Sequence, residues 1–224
     1  MPHYFSEDND TLKSNPKEIA FSVNDTNLKF NTDIGVFSKG SLDRGTKVLL
    51  DNLIVEDSDK KILDLGCGYG VIGIYVAKKY ELDVNMVDIN KRAIELTKKN
   101  IDLNNVNAIV FESDGFSNVT DKYDLIVMNP PIRAGKKVYY QFFEDSVNFL
   151  KEEGRLLLVI NKKHGAMSAI KFLKTIYLSV EIVGKNKGFN VISCKKVLTI
   201  WQVYDIILNC QNMRFFAVLR LFQQ

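Results

Sequence analysis

Lys61 to Gly73 reads KILDLGCGYGVIG: an apolar run ends at an acid, Asp64, passes through glycines at alternate positions, Gly66, Gly68 and Gly70, and resumes at Val71. This pattern predicts a strand, a tight turn and the start of a helix. Glycine admits the positive φ that such a turn requires and lets a ligand approach the backbone, while the first helical turn presents unpaired N–H groups. A nucleotide-bearing cofactor is the expected occupant. Gly68, Gly70 and Gly73 also fit the G-x-G-x-x-G spacing of dinucleotide-binding folds, so the glycines alone leave the cofactor open. Asp64 decides between them. A carboxylate at the end of the first strand repels a pyrophosphate but suits a cofactor with an ammonium group at that point, and S-adenosyl-L-methionine has one. Asp88 closes the next apolar run, VNMVD, where such folds set an acid on the ribose hydroxyls; NAD-type folds share that feature.

Outward from this unit the chain alternates in period. VIGIYVAKKY, KRAIELTKKNIDLNN, VYYQFFEDSVNFLK and AMSAIKFLKTI read as helices, and VNMVD, AIVFESD, KYDLIVM and RLLLVIN as strands. Asn90 is a natural N-cap for a helix that offers Ala93, Ile94, Leu96 and Ile101 for packing, and Asn104 and Asn105 end it. The last stretch, SVEIVGKNKGFNVISCKKV, is a hairpin. Together these predict a Rossmann-like α/β fold with a seven-stranded mixed sheet, its antiparallel strand inserted last. Upstream, residues 18 to 37 alternate about Asn24–Asn27 and predict a separate β-hairpin. FSKGSLDRGTKVLLDNL then gives a turn and a helix whose apolar positions are Val48, Leu49, Leu50, Leu53 and Ile54. Residues 1–17 are polar and expected to be loosely ordered.

A chain of 224 residues suits one α/β core with a small extension. No apolar run approaches the roughly 20 residues of a membrane span, and the acidic start MPHYFSEDND is unlike a secretory signal, so the cytoplasm is the expected location. Cys67, Cys194 and Cys210 are widely separated and lack zinc-site spacing, so they are read as free thiols; no metal site is expected. His3 and His164 are read as surface residues. Basic residues outnumber acidic ones between 131 and 200, and the reverse holds elsewhere. That asymmetry fits either solvated helix faces or a polyanionic substrate beside the cofactor.

Asn129, Pro130, Pro131 and Ile132 follow the strand YDLIVM, at the edge where open α/β sheets bind ligands. The prolines stiffen the loop and remove backbone donors, which leaves carbonyl acceptors; Asn129 adds a side-chain acceptor. One planar NH2 group could be held by both and its lone pair aimed at an electrophile. DLGCGYG together with NPPI resembles the class I S-adenosylmethionine-dependent methyltransferases that act on an exocyclic or amide nitrogen. More narrowly, TDIGVFSKGSLDRGTKVLL, LDLGCGYGVIGI, MNPPIRAGK and GFNVISCKK resemble the small-domain methyltransferase family, over residues 18–197, which includes the guanine-N2 enzymes of the rRNA small-subunit methyltransferase C group. The resemblance implies Asp64, Gly66, Gly68 and Gly70 at the methionine end of the cofactor, Asp88 on its ribose, Asp114 at the adenine edge, and Asn129 with Pro130 on the target nitrogen. Ile132 stands where many enzymes of this kind carry an aromatic residue that stacks on the base, so stacking is expected from elsewhere, with Phe37 as the candidate, or from aliphatic packing by Pro131 and Ile132. The larger members of the group carry a further N-terminal domain, which is not read in this sequence.

Arg133, Lys136 and Lys137 place positive charge just past this loop and favour ribosomal RNA or the small subunit as substrate. A glutamine-N5 protein methyltransferase, an adenine-N6 enzyme and a non-catalytic binding module are the alternatives; the intact Asp64, Asp88 and Asn129 speak against the last. Residues 198–224 are rich in large apolar side chains without a clean period. They read either as a helical appendage that packs on this domain or a second copy, or as an accidental extension, which the abrupt end of the family-like sequence favours.

Overall fold

The computed structural model describes residues 14–36, 38 and 40–196. Phe37, His3, Cys210 and the apolar stretch 198–224 lie outside the described residues.

Strands β1 (Lys17–Val23) and β2 (Thr26–Thr32) form the expected hairpin, with Val23 opposite Thr26. Asn24 and Asp25 therefore make a two-residue turn, and both have positive φ, 44° and 65°, the geometry that matches strand twist and that these short polar residues tolerate. The hairpin ends earlier than Val36 because Asp33 diverts the chain: its Oδ1 accepts from the N–H groups of Asn15 (2.6 Å) and Ile34 (2.7 Å), and its Oδ2 from Ser14 Oγ (2.7 Å). Ser14 and Asn15, placed by the sequence in a loose segment, are thus tied to the body.

The remaining strands build one seven-stranded sheet in the order β5, β4, β3, β6, β7, β9, β8. They are β3 (Ile62–Leu65), β4 (Val84–Asp88), β5 (Ala108–Glu112), β6 (Tyr123–Met128), β7 (Leu150–Asn161), β8 (Ser179–Asn186) and β9 (Phe189–Lys195). β5 through β7 are parallel, and β9 runs antiparallel between β7 and β8, the arrangement expected of the mixed sheet. Helices α1 (Arg44–Asp51), α2 (Val71–Tyr80), α3 (Lys91–Asn104), α4 (Lys136–Phe149) and α5 (Ala166–Leu173) cover its two faces.

Side-chain alternation divides the core in two. Ile62, Val84, Met86, Leu125, Val127, Leu157 and Val191 pack with α1, α2, α3 and the hairpin. Leu63, Leu65, Val87, Ile126, Met128, Leu158 and Ile192 pack with α4 and α5. By the same alternation Asp64 belongs to the α2 side and Asn129 to the α1 side, which decides what each can touch. The hairpin is held through its backbone edge: Asn100 and Asn104, one turn apart on α3, exchange hydrogen bonds with the N–H and C=O of Asn31 and Lys29.

One apolar position was misplaced. α1 stops at Asp51, where Asn52 caps it, so Ile54 falls beyond the helix face and is 68% exposed, while Leu53 stays buried. The carbonyl of Ile54 is used instead, as an acceptor for the buried guanidinium of Arg155 at 2.7 Å. Cys67 and Cys194 are buried free thiols, and His164 is exposed.

Candidate active site

A cavity opens at the C-terminal ends of β3, β4 and β6, walled by the glycine loop, Asp88, Asp114, Asn129 and the first turn of α1. The loop takes the shape the glycines predict: Gly66, Gly68 and Gly70 have φ of 73°, 58° and 92°. At Gly66 and Gly68 a Cβ would meet nothing within 4 Å, so their bare faces look into open space. Gly70 differs, since a Cβ there would lie 2.9 Å from Ile74 and Thr97 side-chain atoms; it serves packing and the cap of α2 rather than the cavity wall. α3 fixes the loop from behind, through Thr97 Oγ1 to the Gly68 carbonyl (2.9 Å) and Asn100 Nδ2 to the Tyr69 carbonyl (2.9 Å).

Asp64 is also set behind the loop instead of in the wall, which corrects the expectation of a direct contact. Facing α2, its Oδ2 accepts from the Gly73 N–H at 2.8 Å, and its buried Oδ1 has no partner. Burial, with the charge of Asp88 adding to it, pushes the Asp64 carboxyl up to about 7 against the pull of the Gly73 N–H.

Asp88 is in the wall. Its Oδ2 accepts from Gly68 N–H (2.8 Å) and its Oδ1 from Asn90 N–H (2.9 Å), so the carboxylate is held at the mouth of the loop by two backbone donors. Burial nevertheless pushes it up to about 6. Asp114 is exposed at the rim, beside Gly115, where φ is 54° and a Cβ would fall 2.5 Å from the Phe142 ring, so no side chain fits. Phe142, on α4, thereby puts an aromatic face next to Asp114 in the wall. The sequence held no signal for Phe142, because a helix with several aromatic residues does not show which one faces a site.

The Asn-Pro-Pro loop turns sharply. Pro131 (φ −75°, ψ 76°) is the centre of an inverse γ-turn in which Ile132 N–H donates to the Pro130 carbonyl at 2.8 Å. A carbonyl oxygen has two lone pairs, so one remains for a ligand. Asn129, Pro130 and Pro131 line the cavity, but Ile132 packs into the core beside α4 and is absent from the wall. The turn is the reason: the one-turn 3-10 helix Ile132–Ala134 points Ile132 inward and offers Ala134 to the cavity. Arg133 and Lys136 are exposed outside the wall, with Lys136 Nζ over the Tyr140 ring at 4.7 Å.

Besides Phe142, three polar wall residues went unread in the sequence. Asn129 Nδ2 donates to Asp43 Oδ2 (3.1 Å) and to Thr46 Oγ1 (3.0 Å), both in the first turn of α1. Asp43 is the N-cap of that helix, accepting from Thr46 N–H at 2.8 Å, and the D-x-x-T spacing is a legible cap. Tyr69 is the third: its buried hydroxyl has no partner, and burial together with the Asp43 charge raises the phenol above its ordinary value and keeps it a neutral donor.

The methyltransferase small domain model matches residues 27–193, so the chain belongs to that family, and it is a class I methyltransferase in fold. It is 42% identical over 199 residues to the uncharacterized protein YbxB of Bacillus subtilis (strain 168), covering 87% of this chain and 98% of that one. Ribosomal RNA small subunit methyltransferase C of Psychromonas ingrahamii is 36% identical over 183 residues, covering 80% of this chain and 51% of that one. The chain spans about half the length of such relatives. The solved T. thermophilus 16S rRNA N2 G1207 methyltransferase, in complex with AdoMet and guanosine, matches with a TM-score of 0.73 at 23% identity, over 81% of this chain and 51% of that one. That likeness is one of fold.

S-adenosyl-L-methionine is the methyl donor, and the wall fits it: carboxylates at Asp88 and Asp114, the orphan Asp64 oxygen beneath the loop, a spare hydroxyl at Tyr69 and bare glycine backbone between them. Asp88, proposed as the ribose acceptor, is expected to make binding depend on pH. Its charged form accepts, so affinity is full above the pair's titration and falls with pH, by up to about tenfold per unit, as Asp88 protonates near 6. Asp88→Asn keeps an acceptor for Gly68 N–H, weakens binding by about 10- to 100-fold at pH 8, and removes the lower of the two steps. Calorimetric titration of the cofactor between about pH 5 and 8 checks this; a mutant profile that superimposes on the wild-type one would take Asp88 off the ribose.

Proposed function

We propose that the protein methylates the exocyclic N2 of a guanosine in small-subunit ribosomal RNA, in the cytoplasm. The observation that carries this reading is Asn129: it lies in the cavity wall with its NH2 tied back to α1, which leaves Oδ1 as an acceptor beside the Pro130 carbonyl. Two acceptors side by side suit a planar amine with two N–H donors. Relatives named ribosomal RNA small subunit methyltransferase C support small-subunit ribosomal RNA as the substrate.

S-adenosyl-L-methionine supplies a methyl group on a sulfonium, an electrophile whose leaving group is a neutral thioether. The residues have little to do beyond placing the amine in line and excluding water. Asn129 Oδ1 and the free lone pair of the Pro130 carbonyl hold the two N–H groups, so the nitrogen lone pair faces the methyl carbon. The nitrogen forms the new C–N bond as the C–S bond breaks onto sulfur, and its extra proton passes to solvent. Pro131 and Ala134 close the rim with apolar surface. Arg133 and Lys136, exposed just past the rim, meet phosphates flanking the target.

The test is incubation with labelled S-adenosyl-L-methionine and, separately, small subunits, free rRNA and protein fractions, followed by nucleoside analysis. Label in N2-methylguanosine is the expected result; label in glutamine or N6-methyladenosine would replace this reading. With RNA as substrate, neutralising Arg133 and Lys136 lowers the slope of log affinity against log salt by about one unit for each phosphate that no longer meets a cation. An unchanged slope would remove those side chains from the RNA.

A further inference from the structure

We infer that Asp43 and Thr46 are positioning residues that decide which end of the Asn129 amide meets the target amine, an inference that rests on the N-methyl transfer reading above. The two ends of an amide have nearly the same shape, so nothing in the Asn-Pro-Pro sequence itself aims oxygen rather than nitrogen at the cavity. Asp43 breaks that symmetry. An ionised carboxylate only accepts, so the group that faces Asp43 Oδ2 at 3.1 Å has to be Nδ2. Thr46 Oγ1 takes the second N–H at 3.0 Å, and both donors of Asn129 are then spent on α1. Oδ1 is turned away from α1, with no protein donor on it among the described residues.

The fold brings these residues together from separate sources. Strand alternation after Leu125 and Val127 puts Asn129 on the α1 side of the sheet. The cap of α1 puts the Asp43 carboxylate and the Thr46 hydroxyl on the same side, locked by the 2.8 Å bond from Thr46 N–H to Asp43 Oδ2. All three residues line the cavity. With the amide in this orientation the site offers acceptors only and prefers a two-donor amine; with the amide turned over, Nδ2 would point at the amine's own N–H groups and repel it. Asp43 therefore sets substrate class while touching neither the amine nor the transferring methyl.

The experiment removes the carboxylate from the pair. Because the one Oδ2 takes both the Thr46 N–H and Asn129 Nδ2, Asp43→Asn could keep both bonds; Asp43→Gly instead deletes the acceptor, costs the helix cap little, and leaves either end of the Asn129 amide free to face α1. It is expected to lower kcat by about tenfold or more while S-adenosyl-L-methionine affinity stays within about twofold. Asn129→Asp alone sets two carboxylates against each other and is also expected to lose at least about tenfold. Asp43→Gly combined with Asn129→Asp removes that repulsion and leaves a carboxylate oxygen facing the amine, so the double variant is expected to exceed Asn129→Asp by about tenfold. Thr46→Val probes the second acceptor without touching the cap carboxylate, and is expected to lower kcat several-fold.

A readout independent of turnover is the side-chain NH2 of Asn129 in an amide-resolved NMR spectrum: slowed hydrogen exchange in the wild type, lost in Asp43→Gly. Wild-type turnover by Asp43→Gly, a double variant no faster than Asn129→Asp, or exchange unaffected by Asp43→Gly would each overturn the inference. If the wild type methylates neither RNA nor protein, the functional reading fails, and the exchange measurement still tests the pairing by itself.

Discussion

Asn129→Ala is expected to leave S-adenosyl-L-methionine affinity within about twofold and to lower methyl transfer by at least about 100-fold, a loss of about 2.7 kcal/mol in transition-state stabilisation. On the proposed reading the donor binds against the glycine loop and Asp88, which the truncation leaves alone. What disappears is the side-chain acceptor that orients the amine, and orientation is the main thing a site can add to attack on an activated methyl group. Pro130 keeps its carbonyl but cannot define a plane by itself. Because Asn129 makes its bonds to Asp43 and Thr46 at the cavity surface, solvent can replace it on both, so the fold should survive. Single-turnover transfer alongside calorimetry of the donor separates the two quantities. Full turnover by the alanine variant would sink the mechanism, and a parallel loss of donor affinity would move Asn129 to the cofactor.

How far the sequence could be read depended on whether a residue's role is set by its neighbours in the chain. The glycine loop, the Asn24–Asp25 turn and the Asn90 cap are local, and the positive φ values and cap bonds occur where the spacing puts them. Even the antiparallel insertion of β9 was anticipated, from a closing hairpin that follows five strands alternating with helices. The roles of Asp64 and Gly70 were not. Asp64 sits at the right place in the motif, yet strand alternation aims it at Gly73 beneath the loop, and that follows from which face α2 covers. Ile132 was misread for a related reason. The resemblance put it where an aromatic residue stacks on the base, but after the γ-turn at Pro131 it lies half-buried against the α4 side of the core.

The unread wall residues share a different trait. Asp43 and Asn129 are 86 residues apart, and Thr46 and Asn129 83 apart, so their partnership exists only once α1 lies against the end of β6. D-x-x-T was readable as a helix cap, and its second use was invisible. Phe142 had no signal at all, since its place in the cavity depends on Gly115 lacking a side chain.

Asp59→Ala is expected to destabilise the fold by about 3 to 5 kcal/mol, a large part of the total for a domain of this size, without changing the chemistry of molecules that remain folded. Arg155 is a charged residue in the apolar strand RLLLVIN, 6% exposed, and Asp59 is 3% exposed. The guanidinium meets the carboxylate through two bonds, Nη1 to Oδ1 at 2.9 Å and Nη2 to Oδ2 at 2.7 Å. Asp59 Oδ2 also takes the Glu56 N–H at 2.7 Å, so the pair staples the turn before β3 to β7. Removing the acid leaves a buried cation with the Ile54 carbonyl and the half-exposed Glu56 (3.4 Å) as its remaining partners. The cost is that of an uncompensated charge rather than the worth of the bridge. A variant that replaces both, Asp59→Leu with Arg155→Met, should therefore lie much closer to wild type than either single change. Urea unfolding shows which is right: a lower midpoint at constant slope for the single variants, and recovery in the double. The staple is at the N-terminal edge of the sheet and the cavity at the C-terminal edge, so cofactor affinity measured well below the unfolding midpoint should match wild type. Loss of affinity in step with stability would mean that the two edges are coupled through β3, and that the loop at Gly66 depends on how the strand is held at Ile62.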